Sequence, residues 1–195
     1  LIDFIRIGIP WGKCSQDVEL AEFAQHFLVL THDEYHPMRV DIAILPDLPT
    51  RNTTSRLVWG LNRQYRIGLR AARHPWHISL KQPFAVDDAQ LAPLETFFDA
   101  YAASIQPFTI HLDELEQQSS PTYPAVLWLA ARESPELRGL HQRLNTELQA
   151  LLGGAPAAFD GPMFRFHMTL ALLDEEDMKA ADMPRLMRDH ARIAP

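Results

Sequence analysis

Hydrophobic and polar positions along the chain alternate between two periods, and the changes of period mark the elements. From Met38 to Leu45 the run MRVDIAIL places Val40, Ile42 and Ile44 on one face of a strand that stops at Pro46. Thr54 to Ile67 then carries Leu57, Leu61 and Tyr65 four residues apart, the spacing of one helical face, with Gly68 as terminator. Trp76 to Leu80 reads as a second strand leading into Pro83. Leu91, Leu94, Phe98, Tyr101 and Ile105 recur at helical spacing, with Pro93 tolerable near a first turn.

Phe108, Ile110 and Leu112 alternate as a further strand, and the continuous apolar run from Ala125 to Ala131 suits a buried one. Ser134 and Pro135 start a helix with the stripe Leu137, Leu140, Leu144, Leu148 and Leu151, closed by Gly153. Met163 to Leu173 alternates as a last strand, and the acidic run Asp174 to Asp177 opens an amphipathic segment. The predicted order is β-α-β-α-β-β-α-β-α, an α+β domain.

Residues 1–37 stand outside this pattern, with a short strand, a helix from Gln16 to Leu30, and the loop THDEYHP. They are expected to be an N-terminal extension, and residues 38–195 a single domain beginning at Met38.

The chain has 195 residues, enough for one substantial core, and a formal charge of −7. That charge argues against a broad basic surface gripping an extended nucleic-acid duplex, so any contact with RNA is expected at an end or a fragment. Cys14 alone allows no internal disulfide. The opening LIDFIRIGIPWG lacks the basic flank and length of a signal peptide or membrane span, so a cytoplasmic protein without membrane partners is expected.

Of the nine histidines, two are followed two residues later by a hydroxyl residue: His77 in HIS and His167 in HMT. Strand alternation sets His77 and Ser79 on one face and Ile78 and Leu80 on the other, and likewise His167 and Thr169 against Met168 and Leu170. By the same parity, and barring a bulge, Lys81 joins the first polar row and Arg165 the second. If the two strands are neighbours, the rows line a cleft with two imidazoles, two hydroxyls and two cations. Such a cleft could hold a phosphate and supply an acid and a base near neutral pH. One HxS or HxT is expected by chance among nine histidines, and buried structural histidines are common. Two copies, each in an apolar strand beside a same-face cation, are harder to dismiss.

HISLKQPF and FHMTLALL resemble the paired HxS/T motifs of the 2H phosphoesterase superfamily, which includes the 2′-5′ RNA ligase and RNA 2′,3′-cyclic phosphodiesterase proteins. The resemblance covers roughly Met38 to Asp174. It implies a bilobal α+β fold, two similar lobes of antiparallel sheet flanked by helices around a central cleft. It also implies a metal-independent phosphodiesterase acting on a 2′,3′-cyclic or 2′-5′ phosphodiester at an RNA end or on a small nucleotide. His167 would activate water and His77 would protonate the leaving oxygen, or the reverse, while Ser79 and Thr169 hold the phosphate. Lys81 and Arg165 are the added substrate-binding candidates. Arg165-Phe166 stand where RNA-ligase-like members commonly have a proline, which leaves the substrate open. A monomer without cofactor or metal is expected.

Two other readings compete. His26, His32 and His36 with Asp33 and Glu34 have the composition of a divalent-metal site but match no strong metal-ligand spacing. The same fold could also bind a nucleotide, an RNA end or a protein without catalysis. Phe84, Trp59, Tyr65 and Tyr123 are candidate platforms for stacking a base, and His74, His111, His141 and His190 are read as structural or exposed. No glycine-rich phosphate loop, HExxH helix or CxxC pair occurs.

Overall fold

A computed structural model of the protein describes residues 2–6, 25–33, 36–119, 124–154 and 160–190, with side chains from 39 onward in those ranges apart from residue 180. In chain order the elements are β1 (Ile2–Arg6), β2 (Gln25–Asp33), β3 (His36–Leu45), α1 (Leu48–Tyr65), a 3-10 turn (Ala71–Arg73), β4 (Ile78–Val86) and α2 (Asp88–Ala103). There follow β5 (Leu112–Gln118), β6 (Ala125–Ala131), α3 (Pro135–Leu152), β7 (His167–Leu173), α4 (Glu175–Ala180) and α5 (Met183–His190). The strands form one sheet in the order β1-β2-β3-β4-β7-β6-β5. Each neighbouring pair is antiparallel. The fold is α+β, as expected.

The two halves of the sheet meet at β4 and β7, which share a single register pair, Ile78 with Met168. Beneath that rung lies one continuous apolar cluster, from Val40 and Ile42 of β3 through Val58 and Leu61 of α1 to Leu144 of α3 and Leu186 of α5. Ile42, Ile78, Leu80, Met168 and Leu170 are wholly removed from solvent. Burying a side chain of this size contributes on the order of 1.5–3 kcal/mol. These residues fix the inner face of both motif strands, and so present the histidine face to the opposite side.

Local chemistry explains the helix ends. Asp47 caps α1 by accepting from the Thr50 N–H at 2.9 Å. The helix therefore starts six residues before the predicted Thr54, absorbing a stretch whose polarity and proline suggest a loop. It ends at Tyr65 with Arg66 in the left-handed cap position, ahead of the predicted glycine. Gly68, at φ 99°, serves close packing instead. A Cβ there would stand 2.7 Å from the Val58 side chain and 3.4 Å from the Leu170 carbonyl, so its bareness lets the chain after α1 pass close to β7. Asp87 and Gln90 form a reciprocal capping box at the start of α2. Ser134 and Gly153 bound α3 where predicted.

Four further expectations are corrected. Phe108 to Ile110 are not a strand; the edge strand is Leu112–Gln118, whose one deeply buried side chain is Leu115. β7 begins at His167, because residues 161–166 are occupied by a turn and its exit. Gln25 to Leu30 are strand rather than helix, since the run pairs along the edge of β3 and a short apolar stretch suits either state until a partner decides. Residues 16–24 of that predicted helix lie outside the described residues. Thr31 to Asp33 and His36 continue the strands on either side of the predicted loop, and residues 34 and 35 lie outside the described residues. Among the described residues, no helix is long and apolar enough to cross a membrane.

Candidate active site

An antiparallel pair has a local two-fold axis, and through Ile78 and Met168 that axis relates HIS to HMT. Each histidine is the residue just before the shared rung, and each hydroxyl residue the one just after. His77, Ser79, His167 and Thr169 are all half-buried, while Ile78, Leu80, Met168 and Leu170 are buried. The predicted alternation therefore holds at both motifs, and the sheet order makes the two strands neighbours.

The symmetry extends to hydrogen bonds. His77 Nδ1 lies 2.8 Å from the Pro75 carbonyl oxygen, and His167 Nδ1 lies 2.8 Å from the Arg165 carbonyl oxygen. A carbonyl only accepts, so each Nδ1 carries the proton and donates it. In the neutral ring that leaves Nε2 as the basic nitrogen of both histidines.

Beyond these bonds the two rings differ. His77 Nε2 is 3.5 Å from the Asp41 carboxylate, which also accepts from Ser79 Oγ at 3.2 Å. Burial holds the Asp41 carboxyl above the usual carboxylate range, partly offset by His77 and the Ser79 hydrogen bond, with Asp160 adding to the rise. His167 instead stacks on Trp128, with 4.1 Å between ring centroids and 26° between planes. Burial pushes its imidazole below the ordinary range; the Arg165 carbonyl opposes this, the positive charges of His77 and Arg165 reinforce it, and Glu116 opposes it.

The two predicted cations are both engaged within the protein. Arg165, 56% exposed, bonds both oxygens of Glu116 at 2.6 and 2.8 Å. Lys81 pairs with the Asp160 carboxylate in the interior, their side chains 6% and 0% exposed. Its expected place in the Ser79 row fails because the register with β3 shifts between Ser79 and Lys81: Ala43 pairs with Ser79 but Ile42 pairs with Lys81. One extra residue in β4 turns the row. Asp160 is further held by the Gln82 N–H at 2.9 Å, and His141 sits between the Leu80 and Asp160 carbonyls.

Asp41 and Trp128 are site residues that sequence reasoning misses. Asp41 is visible as a carboxylate inside the alternating strand MRVDIAIL, on the face opposite Val40 and Ile42. Trp128 gives no signal, because an aromatic in the run AVLWLAA reads as core.

Other candidates fall elsewhere. Trp59, 60% exposed, and Tyr65, whose hydroxyl donates to Asp189, lie on α1, which packs on the Met168 side of the sheet. Phe84 lies 5.4 Å from the Lys81 ammonium. Tyr123 and Glu34, and the side chains of His26, His32, Asp33 and His36, lie outside the described residues. His74 and His111 are exposed, His141 is buried against Phe164, and His190 packs on Tyr65. Glu116 and Arg165 also border a cavity of about 400 Å³ with Asp113, Arg132 and Phe166. The pairing of its arginines with carboxylates makes it unsuited to a second phosphate.

A family profile described as the 2'-5' RNA ligase superfamily matches residues 50–192. Two proteins of Bacillus cereus, from strains B4264 and ATCC 14579, each carry the name "Putative phosphoesterase" and are each 28% identical over 111 residues. The match spans 57% of this chain and 60% of each relative. With the profile covering most of its length and both motifs, the chain belongs to the 2'-5' RNA ligase superfamily.

Proposed function

We propose that the protein is a metal-independent phosphodiesterase that opens a 2′,3′-cyclic or 2′-5′ phosphodiester at an RNA end or on a small nucleotide. The observation that carries this reading is the matched pair of imidazoles. Both sit on the same face of adjoining strands, both are pinned through Nδ1, and both keep Nε2 for chemistry.

In this mechanism His167 Nε2 takes a proton from water as the water oxygen bonds to phosphorus. The bond from phosphorus to the departing ribose oxygen breaks, and that oxygen receives the proton held on His77 Nε2. The protons balance, with His167 ending charged and His77 neutral. The neighbours support this division. Asp41 gives a proton on His77 an ion-pair partner, whereas the Trp128 face and burial favour a neutral His167. Thr169 and Ser79 would bind non-bridging oxygens, Ser79 turning from Asp41 to do so. With Lys81 and Arg165 both paired, a proton on His77 would supply positive charge beside the phosphate.

The test is hydrolysis of 2′,3′-cyclic nucleotides and of a cyclic-phosphate-ended RNA in the presence of a chelator, comparing wild type with His77→Ala and His167→Ala. Each variant should lose activity by at least about a hundredfold. A folded wild type inert on every substrate would leave the non-catalytic binding role as the better reading.

A further inference from the structure

The residues around His167 form a closed circuit. On β6, Trp128 pairs in register with Thr169 and Ala130 with His167, so the indole reaches one step along the sheet to lie over the imidazole. On β5, Glu116 pairs with Trp128 and accepts its Nε1–H at 3.0 Å. Glu116 is in turn gripped by the Arg165 guanidinium, and the Arg165 carbonyl accepts from His167 Nδ1. An imidazole side chain turns about two bonds. The carbonyl fixes its edge and the indole fixes its plane, so the circuit leaves one direction for Nε2.

We propose that Trp128, Glu116 and Arg165 act together as positioning residues for His167, and that this circuit makes the two dyad-related histidines unequal. The inference rests on the phosphodiesterase reading above and adds to it the residues that assign the roles. His77 has the equivalent carbonyl bond but meets Asp41 where His167 meets Trp128. Within one symmetric frame, the first ring is placed beside a carboxylate and the second under an aromatic face. Arg165 holds both ends of the circuit, through its carbonyl and its side chain. Its engagement with Glu116 is thereby explained without a direct role in binding phosphate.

Among the described residues, the charged groups facing His167 are few enough to separate by mutation. They are His77 beside β4 with Asp41 of β3 behind it, Arg165 just before β7, and Glu116 and Glu114 on the β5 rungs that run across to Thr169 and His167. The carboxylate of Glu116 and the cations His77 and Arg165 act on His167 in opposite directions, and burial outweighs them. Uncovering the ring therefore moves it towards ordinary imidazole behaviour.

The experiment uses the full chain as wild type, Trp128→Ala, Trp128→Phe and Glu116→Gln, with two readouts. One is the NMR titration of the His167 ring in the free protein; the other is kcat and KM against pH with a 2′,3′-cyclic nucleotide. For Trp128→Ala, kcat should fall about tenfold to a hundredfold while KM changes less than about threefold, the mark of lost transition-state placement rather than lost binding. His167 should titrate at higher pH, carrying the acid limb of kcat/KM with it. Trp128→Phe keeps a ring over His167 and should recover most of kcat. Glu116→Gln keeps an acceptor for the indole but weakens the Arg165 grip, and should fall between.

Variants that are folded, turn over as fast as wild type and titrate His167 unchanged would overturn the proposal. Should Trp128→Ala not fold, Glu116→Gln alone decides by the same criteria. A wild type inert on cyclic nucleotides would count against the phosphodiesterase reading and not against the circuit. In that case the titration decides: an unchanged His167 in the variants refutes positioning, and a shifted one supports it.

Discussion

Lys81 of β4 sets its ammonium against the Asp160 carboxylate inside the protein, and neither side chain reaches solvent to any useful degree. Removing one member of such a pair leaves the other charge buried alone. Lys81→Met should therefore cost about 3–5 kcal/mol in urea unfolding, and Lys81→Met with Asp160→Asn should recover much of that loss. If Lys81→Met were as stable as wild type but raised KM, the lysine would belong to the cleft after all.

The depressed His167 imidazole sets the sign of the pH response. With His167 as the proposed base, which works when neutral, the rate should rise as pH passes upward through its pKa, and the acid limb of kcat/KM should lie below the ordinary imidazole range. The same shift has a stability consequence. Between the native and the unfolded pKa the unfolded chain binds more protons, so stability is lost as pH falls through that window. His167→Gln should flatten both dependences, and chemical unfolding across pH measures the second.

Asp41 has the opposite linkage. Its carboxyl is raised, so the native state holds the proton to higher pH than the unfolded chain, and stability falls as pH rises between the two values. At neutral pH Asp41→Asn should raise Tm by a few degrees, and the gain should vanish once the solution is acidic enough to protonate the carboxyl in both states. Activity should drop about tenfold, because a proton on His77 loses its partner. A variant with lower Tm at neutral pH would show that the carboxylate is a net support for the fold.

The expectation that the domain proper begins at Met38 is also testable. β2 lies along β3, so a chain starting at Met38 would bare that edge. We expect it to retain cyclic-nucleotide hydrolysis, since the motif strands lie further in, and to self-associate with rising concentration through the open edge. Size-exclusion chromatography across a concentration series, with the assay alongside, reads both. Loss of all activity in a folded monomer would make residues 1–37 part of the working unit.

The features that can be read from sequence are those whose cause is local. The helix from Pro135 to Leu152 announces itself through Ser134, a leucine stripe and Gly153, and β6 through an unbroken apolar run. The motif rows are legible because strand parity is a local rule. Where a partner decides, the sequence is silent: β5 is a polar edge strand defined by its pairing with β6, and Gln25 to Leu30 become strand because β3 has an edge to fill. Lys81 is displaced from its expected row by one extra residue in β4 that no turn residue marks. Asp41 and Trp128 become site residues only when β3, β4, β7 and β6 are laid side by side.

The single rung between β4 and β7 also has a mechanical meaning. Elsewhere in the sheet, several successive rungs lock each strand to its neighbour, but Ile78 and Met168 form a single rung between the two histidine-bearing halves. Side-chain packing beneath that rung adds to it, with the Thr54 hydroxyl of α1 donating to the Met168 sulfur at 3.6 Å. With one rung there to resist rotation, we expect the spacing between the two histidine rings to yield more readily than the spacing of groups within either half of the sheet.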